Sequence, residues 1–496
     1  MRHRSTSADP LSDFWVSTRL RAGAAVSGTA APRPAMPRSF KERLAAALSA
    51  AYREGPAPHR GHDSPGARTT PSAGALYPFD VLVCLPRDSA PVWDLYWYDV
   101  GRAALVALAA APPRRPSPAP WAEAAALVVL AARPWRSMAK YGPRGYLYAC
   151  LDTGHATAAI GLSAEAAGLA PTTHLRFDRR TLAALLGLDE LCSEPQAVIT
   201  VARTGAASAP YPFVPAPPGA PVWLEGARGG LPLPGAAEQA NWQQLERGTG
   251  RPTTGTVPPA RPVRTASMRP AAVGIRVRLY RERRPADPGE LARTAERRSS
   301  ARGFTTGRLA LVEIGQVLSA LHGGTVVDGT PAPSVLPGVR LFSRAVWGLP
   351  GGAYAFDPDT HTLDFRGSAP DDEQTAATAY LGQHSTRAAA LLVLHAPVGA
   401  ALRTLGRQGL AEIHFHAAHL AYRLSLGATR YGVGLTCVGG FDDAACTTLF
   451  RLEPADGDVV HALALGVADV SAVKRDRKDV PYDSSAAAGS SEEAAC

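Results

Sequence analysis

Apolar residues along this chain follow two patterns, one typical of helices and one typical of strands. Helical spacing over Leu44–Tyr52 and over Leu311–Leu321 predicts a helix in each range. The short apolar runs Val81–Leu85 and Ala126–Leu130 are bounded by proline or polar residues, so they predict buried strands. The stretch Leu147–Ala167 predicts a long helix with many small residues. Since helices and strands occur together, the predicted class is α+β.

Composition divides the chain into five parts. Residues 1–39 are polar, and residues 40–205 form a first globular segment. Residues 206–287 are rich in proline and glycine, which is typical of an extended linker or an irregular cap. Residues 288–483 form a second globular segment, and the small polar residues of 484–496 predict a disordered tail.

The two globular segments resemble each other in sequence. With one constant offset and no gap, these residues align: Gly142 with Gly406, Gly145 with Gly409, His155 with His419, Gly168 with Gly432, Thr172 with Thr436, Phe177 with Phe441, and Asp178 with Asp442. The earlier block Leu95–Asp99 resembles Ala353–Asp357, and the blocks keep the same order. A duplication is therefore predicted. The small residues of the two long helices, Leu147–Ala167 and Leu410–Leu426, suit an interface between the copies.

Bulk composition narrows the class of protein. A chain of 496 residues is expected to form two or three domains. Its composition, with 46% hydrophobic and 19% charged residues, is typical of globular proteins. The net charge of +9 is spread over many arginines without a long basic run carrying interleaved aromatics, so we expect no nucleic-acid partner. We see no apolar run of signal-peptide or membrane-span length, so we expect a cytoplasmic protein without a membrane partner.

The six cysteines predict no metal site. None of them forms a CxxC pair, and no histidine is spaced with them like a zinc ligand. We therefore expect free thiols in a reducing compartment.

Two basic elements of the second segment suit a phosphate. Arg298, Ser300 and Arg302 alternate along an extended stretch, so their side chains lie on one side, where two guanidinium groups and a hydroxyl could bind an anion. A solvated basic turn is the alternative. The basic run Lys474–Lys478 follows the predicted strand Ala462–Val467 and could close over the same phosphate, although charge runs are usually solvated.

Three further elements contain candidate ligand-binding or catalytic groups. Gly439 and Gly440 allow the backbone to approach a ligand and aim N–H groups at it, or they form an ordinary turn. The loop Arg68–Pro78 presents the Ser72 hydroxyl, or is simply a turn before a strand. Lys140 and Tyr141 could supply a base and a proton relay, although such a dipeptide alone is unremarkable.

Taken together, these elements resemble the nitroreductase superfamily, specifically the azoline dehydrogenases of the SagB and microcin B17 types. The resemblance covers residues 40–205 and 288–480. The PSAGALYP loop and the KYGxRGY…GH run resemble this subgroup, whereas the R-x-S-x-R-x-F and GGFDD elements are shared more widely. The resemblance implies two tandem nitroreductase-like domains that form an intramolecular pseudo-dimer.

The resemblance also implies FMN at the interface of the two copies. The residues it assigns to the phosphate and the flavin edge are Arg298, Ser299, Ser300, Arg302, Lys474 and Arg477. Gly439 and Gly440 would offer N–H groups near flavin N5, and Ser72 and Gly74 would contact the flavin from the first copy. Lys140 and Tyr141 would face the substrate as the catalytic pair, and either could be the base.

Each copy lacks the parts that the other keeps. The first copy has Gly28, Ala30 and Pro32 opposite Arg298, Ser300 and Arg302. It also has His174-Leu175-Arg176 where the second copy has Val438-Gly439-Gly440. The second copy has Thr404-Leu405 opposite Lys140-Tyr141, and its loop is shortened around Phe342–Gly348. We therefore predict one composite FMN site and one inactive pseudo-site per chain.

The implied reaction is the oxidation of thiazoline or oxazoline rings in a ribosomally made peptide to thiazoles or oxazoles. A cyclodehydratase is a candidate partner, and dioxygen is the expected acceptor, because we find no G-x-G-x-x-G fingerprint. We expect a monomer that acts as a pseudo-dimer, or a higher homo-oligomer. Two alternatives are an NAD(P)H-dependent nitro- or quinone reductase, and a pseudoenzyme without flavin that docks a peptide or a partner.

Overall fold

The fold is that of a computed structural model, which describes residues 40–53, 68–86, 93–107, 121, 124–188, 193–202, 239–240, 243, 274–282, 287–322, 337–368, 373–382 and 387–472. The predicted N-terminal extension, most of the predicted linker and the predicted tail lie outside these residues. The candidate phosphate ligands Lys474 and Arg477 also lie outside them.

The first half of the chain is a six-stranded antiparallel sheet with helices. Its helices are α1 (Phe40–Ala51), α2 (Pro134–Tyr141), α3 (Arg144–Ala166) and α4 (Arg179–Leu185). Its strands are β1 (Phe79–Pro86), β2 (Trp93–Asp99), β3 (Ala104–Ala107), β4 (Ala126–Ala132), β5 (Ala170–His174) and β6 (Glu194–Ala202). The strand order is β3-β2-β1-β4-β6-β5. The central strand β4 is buried along its whole length, as its continuous apolar sequence predicts.

The second half contains a seven-stranded sheet. Its helices are α5 (Pro288–Arg297), α6 (Leu311–Ser319), α7 (Glu373–Ala379), α8 (Val398–Leu405), α9 (Arg407–Arg430) and α10 (Asp443–Leu449). Its sheet strands are β7 (Arg276–Arg278), β9 (Gly338–Ser343), β11 (Gly352–Asp357), β12 (Thr362–Gly367), β13 (Ala390–Ala396), β14 (Gly434–Val438) and β15 (Asp458–Gly466), in the order β14-β15-β13-β9-β11-β12-β7. The short strands β8 (Leu309–Ala310) and β10 (Val346–Trp347) pair separately in parallel.

The two sheets have the same topology. Read from the opposite edge, the first sheet has the order β5-β6-β4-β1-β2-β3, which corresponds strand for strand to β14-β15-β13-β9-β11-β12. In both halves a long helix precedes the edge strand, and a short helix follows it. This correspondence confirms the predicted α+β class and the tandem arrangement. Among the described helices, none is both long enough and apolar enough to cross a membrane.

The long helices α3 and α9 pack against each other between the halves. A Cβ atom added to Gly154 would lie 2.7 Å from the Cβ of Ala418 and 3.0 Å from the carbonyl oxygen of Phe415, so the helices approach closely at this glycine. Each apolar core also contains side chains from the other half, such as Tyr422 in the first core and Leu151 in the second. The halves therefore share their interior, as in an intramolecular pseudo-dimer.

Two elements near the start of the second half do not follow the predicted division of the chain into a linker and a second globular segment. Strand β7 lies inside the segment predicted as a linker, yet Arg276–Arg278 pairs with Thr362–Asp364 as an edge strand. Helix α5 belongs by sequence to the second half, but Leu291 and Ala295 pack into the core of the first half. Helix α5 thus carries the segment that follows it, beginning at Arg298, to the boundary between the halves.

Candidate functional site

The loop Pro71–Pro78 has an unusual backbone. Gly74, Ala75 and Tyr77 all have positive φ angles, of 62°, 57° and 45°. Only glycine adopts this region without steric cost, so Ala75 and Tyr77 are strained. Such strain persists only where surrounding contacts enforce it, and it is concentrated at functional sites.

A buried carboxylate on helix α3 holds this loop. The Ser72 hydroxyl donates to Asp152 Oδ2 at 2.5 Å, and the Ala73 N–H donates to Asp152 Oδ1 at 3.0 Å. Ser72 Oγ also accepts a hydrogen bond from the Tyr77 N–H at 2.9 Å. The Ser72 hydroxyl is therefore engaged in fixing the loop. Burial raises the pKa of Asp152 to about 8, although both hydrogen bonds oppose that shift.

The catalytic pair predicted from sequence lies beside this loop. Lys140 and Tyr141 end helix α2, and both side chains are partly buried. A Cβ atom at Gly74 would lie 2.3 Å from Tyr141 Oη and 3.2 Å from Lys140 Nζ, so only glycine leaves room for the pair. The Lys140 ammonium lies 5.4 Å from the centre of the Tyr141 ring.

Tyr148 connects the catalytic pair to the second half. Its ring packs edge-on against Tyr141, with the ring centres 5.0 Å apart. Its hydroxyl donates to the carbonyl oxygen of Gly439 at 2.5 Å. Gly439 and Gly440, the glycine turn, follow strand β14 of the second half. The loop at Gly74, the catalytic pair and the glycine turn thus form one continuous set of contacts.

Arg144 makes a second contact between the same elements. Its guanidinium donates to Asp443 Oδ2 at 3.2 Å and lies 4.2 Å from the centre of the Phe441 ring. Both partners follow the glycine turn in sequence. The start of helix α3 is therefore docked on the turn and on the segment that follows it.

Arg298 joins the second half to the loop of the first half. Its side chain is buried, and Nε donates to the carbonyl oxygen of Thr69 at 2.6 Å, only three residues before Ser72. Its other nitrogens donate to Ser300 Oγ at 3.4 Å and to the Arg68 carbonyl oxygen at 3.5 Å. Burial lowers the pKa of Arg298, and the nearby positive charge of Arg302 lowers it further.

The segment Arg298–Arg302 is the one that the sequence predicts to bind a phosphate. Arg298 and Ala301 are buried, Ser300 and Arg302 are partly buried, and Ser299 is exposed. The Ala301 N–H donates to the Leu435 carbonyl oxygen, which places the segment beside strand β14. The structure thus brings the loop at Ser72, the catalytic pair, the glycine turn and Arg298 to one boundary between the halves. Their roles toward a cofactor or a substrate stay predictions.

The equivalent place on the opposite side, the pseudo-site, contains a buried ion pair. Arg176 stands where Gly440 stands in the second half, and its guanidinium donates to both carboxylate oxygens of Glu412 at 2.9 and 3.0 Å. Both side chains are only 4% exposed. Gln408 donates to the Leu175 carbonyl oxygen at 2.8 Å, just as Tyr148 donates to that of Gly439. Charged side chains therefore occupy the pseudo-site, whereas the corresponding glycine turn has only backbone atoms at these positions.

The sequence reasoning missed Asp152, Tyr148 and Glu412. Asp152 is a carboxylate within a long apolar stretch of helix α3, which was a usable signal because buried charges need partners. Tyr148 and Glu412 align at the same offset that relates the two copies. Their importance becomes visible only when helices α3 and α9 are placed against the opposite half.

Comparisons with known proteins agree with this fold. The sequence model of the nitroreductase family matches residues 40–203 and 353–467, with the Arg298 segment between the two ranges. A protein of Methanocaldococcus jannaschii with a nitroreductase name is 24% identical over 162 residues, which are 32% of this chain and 82% of that protein.

Solved structures with similar folds include a protein of Anabaena variabilis that is also described as a nitroreductase. It is 20% identical, covers 86% of this chain and 88% of its own, and has a TM-score of 0.65. A chain of the E. coli microcin synthetase McbBCD complex with truncated pro-MccB17 bound is 19% identical, and the match covers 41% of this chain and 85% of that one. Its TM-score of 0.27 is too low to support an argument.

Proposed function

This chain belongs to the nitroreductase family, and we propose that it is an FMN-dependent dehydrogenase with one composite site per chain. Its proposed substrate is a peptide that contains thiazoline or oxazoline rings, which it converts to thiazoles or oxazoles. A cyclodehydratase that makes those rings is the proposed partner.

The observation that carries this proposal is the asymmetry between the two equivalent places. At one of them, Gly74, Tyr141 and the glycine turn meet through Tyr148. At the other, Arg176 and Glu412 occupy the corresponding positions as a buried ion pair. This asymmetry supports a single site assembled from both halves.

The charges near Arg298 fit a phosphate group. Arg298 is buried close to the positive charge of Arg302. Arg68 contributes its carbonyl oxygen to Arg298, whereas its own guanidinium lies 4.4 and 4.3 Å from the centres of the Tyr52 and Tyr77 rings. Burial lowers the pKa of Arg68 to about 10. An anion bound at Arg298 and Arg302 would offset the repulsion between these two positive charges.

The residues proposed to hold FMN come from both halves. Arg298, Ser300 and Arg302 would bind the phosphate, with Lys474 and Arg477 from outside the described residues. Gly439 and Gly440 would offer backbone N–H groups, and Gly74 would border the ring from the first half. When bound, FMN supplies a two-electron acceptor.

The proposed part of Lys140 and Tyr141 is to take and hold the proton that the ring carbon loses. Tyr148 packs edge-on against the Tyr141 ring, and Gly74 has no side chain that would clash with the phenol oxygen. Lys140 Nζ lies beside the same loop, 3.2 Å from where a Cβ atom at Gly74 would be. The azoline substrate is supported by the resemblance of this pair and the PSAGALYP loop to the azoline dehydrogenases. Dioxygen is the proposed acceptor.

The test uses purified full-length chain and a cyclodehydrated peptide. A flavin absorption spectrum is expected first, and then a mass loss of about 2 Da per ring in air, since two hydrogens leave each azoline. No mass change, combined with rapid anaerobic bleaching of the flavin by NAD(P)H, would instead identify a nitro- or quinone reductase. A colourless protein that takes up no added FMN would identify a pseudoenzyme.

A further inference from the structure

A second cluster of chemically active side chains lies where the halves meet. His155 is on helix α3 of the first half, and Cys437 and His461 are on the neighbouring strands β14 and β15 of the second. The nearest ligand atoms of all three lie within 4.8 Å of one another. The proposed function assigns no role to these residues.

The two histidines lack the hydrogen bonds that buried imidazoles normally make. His155 and His461 are 2% and 3% exposed. Neither ring nitrogen of either residue has a hydrogen-bond partner within the part of the chain that the structure describes. Buried polar groups are rarely left in this state, and such an orphan needs an explanation. A metal ion that takes one nitrogen from each ring would supply it.

The donor set favours zinc. Two imidazole nitrogens and one thiolate are typical zinc ligands, whereas calcium and magnesium prefer oxygen. In a tetrahedral zinc site such donors lie about 3.3–3.6 Å apart, given zinc–nitrogen and zinc–sulfur bonds of about 2.0–2.3 Å. The observed cluster, with all donors within 4.8 Å, needs only a modest contraction to reach that geometry.

The surroundings are compatible with a bound cation. Without a metal, burial raises the pKa of the Cys437 thiol to about 12, and the nearby Asp152 carboxylate adds to the rise while Arg298 opposes it. A coordinated metal ion displaces a thiol proton. The fourth ligand position would be left to water.

We propose that His155, Cys437 and His461 form a zinc site that ties the first half to the second. Because the ligands come from both halves and are far apart in sequence, zinc binding would stabilise the docked arrangement. Cys437 lies two residues before Gly439, so the ion would also fix the position of the glycine turn. The site is separate from the proposed function, since it needs neither FMN nor turnover.

The experiment measures metal and stability on the purified full-length chain. After expression with added zinc and exhaustive dialysis, elemental analysis is expected to find one zinc ion per chain. Removing the zinc with a strong chelator is expected to lower the Tm, and returning zinc should restore it. Cobalt in its place should give the absorption bands of a thiolate-bound tetrahedral ion.

Matched variants separate this site from general effects of core substitution. Cys437→Ser and His461→Gln are expected to lose the zinc and the response of the Tm to chelator. Two control variants remove comparable groups elsewhere. Cys84→Ser removes another buried thiol, and His416→Gln removes another buried imidazole without a described hydrogen-bond partner. Both controls should keep the zinc and the response of the Tm to chelator. Circular dichroism checks that each variant is folded.

Two results would overturn the proposal. One is a folded wild-type chain that binds no zinc and whose Tm is unchanged by zinc or chelator. The other is equal zinc binding by the wild type and by Cys437→Ser. Flavin content is measured on the same samples, so zinc without flavin would contradict only the proposed function, and flavin without zinc would contradict only the zinc site.

Discussion

The glycine turn and the pseudo-site occupy corresponding positions in two copies of one fold. In the second half, Gly439 accepts a hydrogen bond from Tyr148, and neither glycine of the turn has a side chain. In the first half, Leu175 accepts the corresponding hydrogen bond from Gln408, and Arg176 is locked to Glu412. The strand order around both places is the same, but among the described residues only the place in the first half has a buried ion pair.

The difference shows how a duplicated chain can specialise. In a symmetric dimer a substitution at the interface alters both sites, because the same residue occurs twice. After duplication within one chain, each position changes alone. The Arg176–Glu412 pair can then serve docking between the halves at one place, while the other keeps its glycines and the Lys140–Tyr141 pair.

The largest expected effect comes from copying the pseudo-site into the composite site. The triple variant Gly439→Leu, Gly440→Arg and Tyr148→Glu recreates the residues found at Leu175, Arg176 and Glu412. We expect complete loss of bound flavin, because the introduced side chains cover the backbone N–H groups. Absorption of the purified, folded protein measures this, with Gly440→Ala as a milder control. Undiminished flavin in the triple variant would show that the turn does not bind the cofactor.

The next largest effect is expected from the catalytic pair. Tyr141→Phe and Lys140→Met should each reduce turnover by about 10²–10⁴-fold, the usual contribution of a general acid or base. Flavin content should stay unchanged, since the proposed role of the pair is toward the substrate and not toward the flavin. The variant with the greater loss identifies the base. Tyr431→Phe, which removes a hydroxyl bonded to Glu282, is the control and should keep full activity. Wild-type turnover by both pair variants would exclude them from catalysis.

Removing Glu412 should mainly affect stability. Glu412→Ala leaves the buried Arg176 charge without its partner, so the free energy of unfolding should fall by about 3–5 kcal/mol. The control is Glu296→Ala, because Glu296 and its partner Arg53 are 46% and 44% exposed, and such a surface pair contributes about 0–1 kcal/mol. Urea denaturation measures both variants. Equal losses in the two variants would remove the distinction between the buried and the exposed pair.

Asp152 should give the stability a measurable dependence on pH. Its pKa in the folded protein, about 8, lies above that of an unfolded aspartate. Between these two pKa values the folded state binds the proton and the unfolded state does not. Stability should therefore decrease as pH rises from about 4 to about 8, and this contribution should level off above that range. Asp152→Asn mimics the protonated acid and should remove the slope. Urea denaturation at several pH values measures the free energy of unfolding of both proteins. If Asp152→Asn shows the same pH dependence as the wild type, other groups cause that dependence.

The smallest effect is expected at Ser299. Because this residue is exposed while Ser300 is partly buried beside Arg298, Ser299→Ala should alter the affinity for FMN by less than about 0.5 kcal/mol. Ser300→Ala should weaken it more, by about 1 kcal/mol. Titration of the flavin-free protein with FMN compares the two. A larger loss at Ser299 would reverse the predicted alternation of the segment.

Local patterns predicted much of the fold, because its core elements have strong apolar signals. The apolar run Ala126–Leu130 lies within strand β4, and the small-residue stretch Leu147–Ala167 lies almost wholly within helix α3. Strand β7 was missed because three residues in a segment rich in proline and glycine carry no usable period. Its strand conformation comes from pairing with Thr362–Asp364, a distant part of the chain.

The candidate site was predictable only where a motif is contiguous. The Lys140–Tyr141 pair and the glycine turn are neighbours in sequence, so each could be found separately. Asp152 has one local signal, a carboxylate within a long apolar stretch. The cluster of His155, Cys437 and His461 has none, because spacing rules search for ligands within one segment. Helix packing between the halves brings these residues together, and no local pattern encodes that packing.

The most direct test of one composite site is the flavin stoichiometry of the full-length chain. FMN released by denaturation is quantified against protein concentration after saturation with FMN and removal of the unbound excess. The account predicts one FMN per chain. Two tightly bound FMN molecules per chain would show that the place filled by Arg176 and Glu412 is also a working site, and would contradict the account.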